Sequence, residues 1–166
     1  MLKSLQKKRD QGFTIIEVMI VLAIAGLILV VVLIAIPQLQ RNQRNSARQQ
    51  ILSRISTELS SFAGSNSGAF PAQNNTDTAG NFGTAVTDTN SFLGKYIKGV
   101  NVNDPSTGSP MAFDLGTTAP AEGHVTYALS AECGPDGSIA PLTGQNRKFA
   151  LAVGLEGNRA YCLDNK

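Results

Sequence analysis

Hydrophobic and polar positions divide this chain into three regimes. From Phe13 to Ile36 nearly every side chain is Val, Ile, Leu, Ala or Met, and Glu17 is the one charge. About 20 apolar residues at ~1.5 Å each cover the ~30 Å hydrocarbon core of a bilayer, so the run predicts a helix long enough to cross a membrane. It is apolar on every face, as suits a helix surrounded by lipid or by copies of itself. Past Pro37 the pattern turns amphipathic. Ala47, Ile51, Ile55, Leu59 and Phe62 recur at three- and four-residue intervals, and Arg41, Arg44 and Arg48 repeat at the same spacing on what reads as a polar, solvated face. Gly64 offers a stop, so the two stretches make one helix of about 75 Å.

Beyond that helix the pattern shortens to the period of strands. Residues 65–90 are polar and rich in Gly, Asn, Ser and Thr, and read as a long surface connection, with a short helical turn expected from Phe92 to Ile97. Val125–Leu129 alternates, Lys148–Val153 is apolar enough for a central strand, and Ala160–Leu163 is short. Met111–Leu115 is a candidate fourth strand. Glu156-Gly157-Asn158 reads as the hairpin turn between the last two. The fold class is therefore α+β: a long N-terminal helix, membrane-spanning in its first half and amphipathic in its second, packed on a C-terminal antiparallel sheet. Four segments follow: a basic leader over 1–12, the apolar helix over 13–37, the amphipathic helix over 38–63, and a globular head over 64–166.

Gly12-Phe13-Thr14-Ile15-Ile16-Glu17-Val18-Met19-Ile20-Val21, running on through Ala23-Ile24-Ala25-Gly26 to Ala35-Ile36-Pro37-Gln38, resembles the start of a type IV prepilin. The likeness covers about the first 38 residues closely and the rest only in layout. It implies cleavage between Gly12 and Phe13 by a prepilin peptidase on the cytoplasmic side, and N-methylation of Phe13. An ordinary secretory signal loses its apolar core, whereas this arrangement keeps it. The resemblance also implies a role for Glu17, whose burial in hydrocarbon costs on the order of 2.5–3.5 kcal/mol: pairing with the amino terminus of a neighbouring subunit. The plainer alternatives are a carboxylate that snorkels to the membrane face or is protonated there. Gly26 weakens the helix by about 1 kcal/mol relative to Ala and Pro37 removes a hydrogen bond, which makes these two the expected kink positions. In the family the proline follows the glycine a few residues sooner.

Charge changes the picture in one respect. The chain carries a formal +2, but residues 1–12 hold four basic side chains and one acid, so a chain beginning at Phe13 carries −1. That opposes a nucleic-acid surface spread over the head. The arginines after Pro37 leave phospholipid headgroups or nucleic acid as weak alternatives to a solvated face. Basic residues flank both ends of the apolar run, so charge bias alone does not orient it; the cleavage motif and the cysteines place the N-terminus in the cytoplasm. Cys133 and Cys162 have no His or third Cys at metal-ligand spacing. In an exported head a disulfide between them is favoured, and in a cytosolic protein two buried thiols would be.

No phosphate-cradling glycine motif and no nucleophile triad is recognisable, and neither metal nor cofactor is expected. His124, the single histidine, sits at a strand start in a structural role. Glu122, Glu132 and Asp136 lie in turns as solvated acids. Asp104 and Asp114 are a weak calcium pair, and Asn74-Asn75-Thr76 a weak glycosylation acceptor.

The first reading is a structural subunit of a pilus filament that serves adhesion, twitching motility or DNA uptake. Its partners are further copies of itself, a prepilin peptidase, the membrane with its pilus assembly platform, and minor pilins. It would begin as a single-pass inner-membrane precursor and end on the cell surface. The alternatives are a pseudopilin of a type II secretion system and an uncleaved, membrane-anchored extracytoplasmic binding module.

Overall fold

A computed structural model describes residues 12–166; the leader residues through Gln11, with the basic side chains read from them, lie outside the described residues. The first element, α1, is a single 51-residue helix, Ile15–Ser65, unbroken at Gly26 and at Pro37. Two compact units divide the chain at Gln40 and Arg41. In the first, the apolar side chains stand exposed, from Phe13 (88 %) just ahead of α1 to Leu39 (58 %) within it. A stretch this hydrophobic has no reason to face water, which is the signature of a surface made for lipid or protein.

In the second unit α1 buries Asn45, Arg48, Ile51, Leu52, Ile55, Leu59, Phe62 and Ala63. This is the expected apolar stripe with three changes among its apolar positions. Leu52 and Ala63 belong to it, and Ala47 is only half-buried. The helix ends one residue past Gly64: the Gly68 amide returns to the Ala63 carbonyl (2.8 Å), with Ser67 and Gly68 both at positive φ. The helix thus stops within a residue of the expected glycine, and the chain turns away through left-handed Ser67 and Gly68.

Six strands follow: β1 (Ala112–Leu115), β2 (His124–Leu129), β3 (Ala131–Cys133), β4 (Ile139–Pro141), β5 (Phe149–Leu155) and β6 (Arg159–Asp164). The main sheet runs β1-β2-β5-β6, and β3 and β4 form a separate hairpin. All neighbours are antiparallel except β1 and β2, which pair in parallel with Phe113 opposite Val125. The expectation of an antiparallel sheet thus needs correction at this edge. An eight-residue return from Gly116 to Gly123, both at positive φ, brings the chain back to start β2 in the direction of β1.

Every residue of β5 is buried, because the strand is covered on both faces. Phe149, Leu151, Val153 and Leu155 meet the helix stripe, with Val125 and Tyr127 beside them. Ala150 and Ala152 meet Ala131 and Ile139 of the hairpin, next to the two cysteines. At Gly154 a Cβ would run into the Ala121 backbone carbonyl, so glycine is what admits the segment crossing there.

The connection after the helix runs mostly exposed, as its composition predicts, and is anchored at a few points. Phe82 is fully buried and stacks on Tyr127 at 4.0 Å and on Phe92 at 5.5 Å. The Tyr127 hydroxyl donates to the Pro71 carbonyl (2.7 Å). Asp77 accepts the backbone amides of Thr89, Asn90 and Ser91, closing the segment on itself. The expected turn after Phe92 is a π-helical one, Leu93–Ile97, whose Leu93 and Ile97 are buried.

Candidate processing and assembly site

Gly12, Phe13 and Thr14 precede the first turn of α1 in non-helical backbone and are exposed. Thr14 and Glu17 close a reciprocal capping box. The Thr14 amide donates to Glu17 Oε2 (2.8 Å), the Thr14 hydroxyl donates to the same oxygen (2.7 Å), and the Glu17 amide donates to Thr14 Oγ1 (3.3 Å). Such a box satisfies two amides that a helix start leaves without partners, and a carboxylate there also suits the helix dipole. Glu17 therefore has a use inside its own chain that the sequence reading overlooked. The T-x-x-E spacing would have revealed it. Glu17 Oε1 has no partner among the described residues, and Phe13, Glu17, Val18, Val21 and Leu22 line one groove along the helix.

The second charged constellation corrects the view of the arginines as a solvated face. Arg48 is fully buried: Nε donates to Asp104 Oδ1 (2.7 Å), and Nη2 donates to Ser106 Oγ and to Glu122 Oε1 (3.2 Å). Arg44 grips Glu156 with Nε on Oε1 and Nη2 on Oε2 (2.9 Å), and Arg41 Nε approaches the same carboxylate at 3.8 Å. The Glu156 amide donates to Asn45 Oδ1 (2.9 Å). Positions 44, 48, 52, 55, 59 and 62 lie three or four apart, so the arginines continue the buried stripe rather than oppose it.

Burial works against the charged form of Arg48, but hydrogen bonding and attraction from Asp104 and Glu122 outweigh it and raise its pKa. Burial likewise pushes Asp104 up, and Arg48 with Ser106 more than reverses that, leaving it below the ordinary carboxylate range. The hydrogen bond from Arg44 lowers Glu156. Glu122 is thus an ion-pair partner, not a free turn acid. Asp104 and Asp114 are engaged separately, since Asp114 Oδ2 lies 2.8 Å from His124 Nδ1. No group of three or more metal-ligating side chains occurs among the described residues.

Cys133 and Cys162 are joined in a disulfide, with Cα atoms 5.7 Å apart. It connects β3 to β6. The Cys133 amide also donates to Asp164 Oδ2 (2.9 Å), a second tie between the same elements.

No curated protein and no solved structure matches the chain. Residues 7–33, however, match the family model for the prokaryotic N-terminal methylation motif. That segment contains the glycine, the phenylalanine, the capped glutamate and most of the apolar helix just described. Over residues 7–33, then, this chain carries a prokaryotic N-terminal methylation motif of the type IV prepilin kind.

Proposed function

We propose that the chain is a structural subunit of a type IV pilus. A prepilin peptidase cuts between Gly12 and Phe13 and the new amino terminus is methylated. The product waits in the inner membrane through its 13–37 helix, with residues 64–166 forming the exported head. Copies are then drawn into a filament whose core is the bundled helix. One observation carries this reading: the methylation motif coincides with a helix that exposes apolar side chains on all sides and bears one carboxylate in its first turn. Side chains so exposed need a cover, and identical helices repeated without closure supply one. Glu17 Oε2 caps its own helix while Oε1 takes the methylated amine of the next copy, which fixes the axial register. Pro37 and Gly26 give the helix its freedom to bend on leaving the bilayer.

Filaments sheared from cells and imaged by electron microscopy, with their subunit identified by peptide mass, test the proposal. Fibres built of this chain support it. A chain confined to the membrane under every growth condition, with no fibre or secretion defect on deletion, would contradict it.

A further inference from the structure

Away from the helix interface, a cleft of about 560 Å³ is lined by Gly144, Gln145, Asn146, Arg147, Lys148, Asn165 and Lys166. It holds three cationic side chains and no acidic side chain. None of the three has a carboxylate within ion-pair distance among the described residues, whereas Arg41, Arg44 and Arg48 are all paired. Three like charges on one small concavity repel each other, and no ion pair relieves them here.

The walls are held in place. Asn165 Oδ1 accepts the Phe149 amide and its Nδ2 donates to the Arg147 carbonyl, both at 2.8 Å. The Lys148 carbonyl accepts the Ser130 amide (2.7 Å), its amide returns to the Gln145 carbonyl (3.0 Å), and Ser130 Oγ meets Asn146 Oδ1 (3.3 Å). The Arg147 guanidinium lies over Gly68, where a Cβ would sit 3.7 Å from its Cζ.

We propose that this cleft binds an acidic glycan: a chain of sugars carrying carboxylate or phosphate groups. Arg147, Lys148 and Lys166 meet the anions, and the free amide donors of Gln145 and Asn146 meet sugar hydroxyls. Nucleic acid fits less well. The lining has no aromatic ring on which a base could stack, and a rigid duplex needs a broader cationic face than one small cleft. The inference concerns the folded head and does not depend on polymerisation.

The test uses the full chain in nanodiscs of zwitterionic lipid, titrated with oligogalacturonate, with its fully methyl-esterified form, and with a short DNA duplex. Oligogalacturonate should bind and its neutral ester should not. Affinity should fall on the order of tenfold between about 50 and about 200 mM salt. Arg147→Glu and Lys166→Glu, both at exposed positions, should each weaken binding several-fold, while Lys95→Glu and Lys98→Glu should leave it unchanged. Failure of the native protein to bind the acidic oligomer overturns the proposal. So does equal binding of the ester, tighter binding of DNA, or equal loss in the Lys95 and Lys98 variants. Lys166→Glu adds no steric bulk, so a failure of Arg147→Glu to fold would not hide the answer.

Discussion

Arg48 shows how much one side chain carries in this fold. Its guanidinium is wholly enclosed, and only Asp104, Ser106 and Glu122 compensate for the lost water. Replacing it with Met leaves Asp104 buried without its cation, a loss typically worth about 3–5 kcal/mol. Urea unfolding of Arg48→Met should show a drop of that size, and adding Asp104→Leu should recover much of it. A drop below about 1 kcal/mol would mean the pair contributes little. Glu17 invites a different substitution. Glu17→Gln keeps an oxygen to cap Thr14 but removes the charge, so membrane insertion should be normal and fibre formation should fail. Normal fibres from the Gln variant would assign the residue to capping alone. Both residues were visible in the sequence. Glu17 stood out because a carboxylate in an oily run is costly, whereas the burial of Arg48 required noticing that its spacing matched Leu52, Ile55 and Leu59.

At the level of elements, the long periodic helix and the strands after residue 110 were legible because their apolar positions repeat at the period of the structure they form. The β3–β4 hairpin was not. Its three-residue strands hold Ala, Glu, Cys, Ile and Pro, too few positions for an alternation to register. The 65–90 segment reads correctly as a surface connection, but its internal order was not legible, because that order comes from two anchors, Phe82 in the core and Asp77 under three amides, rather than from any pattern. Those anchors are testable. Phe82→Ala should destabilise the head by about 3–5 kcal/mol, and a thermal shift near zero would place that ring outside the core. The backbone amides of Thr89 and Asn90 hold Asp77 down at about 2. A depressed carboxylate contributes stability above its unfolded pKa, which is lost as pH falls through the folded value. Asp104 and Glu156 are lowered in the same sense. The melting temperature should therefore decline as pH drops from about 4.5 toward 2, and Asp77→Asn should flatten part of that decline. A profile unchanged by the substitution would contradict the anchoring role.

The whole molecule joins a unit that exposes apolar surface to a unit that has buried its own. The head's disulfide spans 29 residues and ties the small hairpin to β6. Removing such a bridge typically costs about 2–5 kcal/mol, so reduction should increase protease cleavage between Gly134 and Asn146 while leaving the 13–37 helix in the membrane. Unaltered digestion would make the bridge dispensable. The central claim concerns the other unit: the apolar helix is retained after the leader is removed, so that it can be covered by its own kind. Intact mass of the protein isolated from its native cells addresses this directly. The account predicts a chain that begins at Phe13 with a methyl group on its amine. A mature chain that still begins at Met1, or one that starts beyond Ile36, would contradict it.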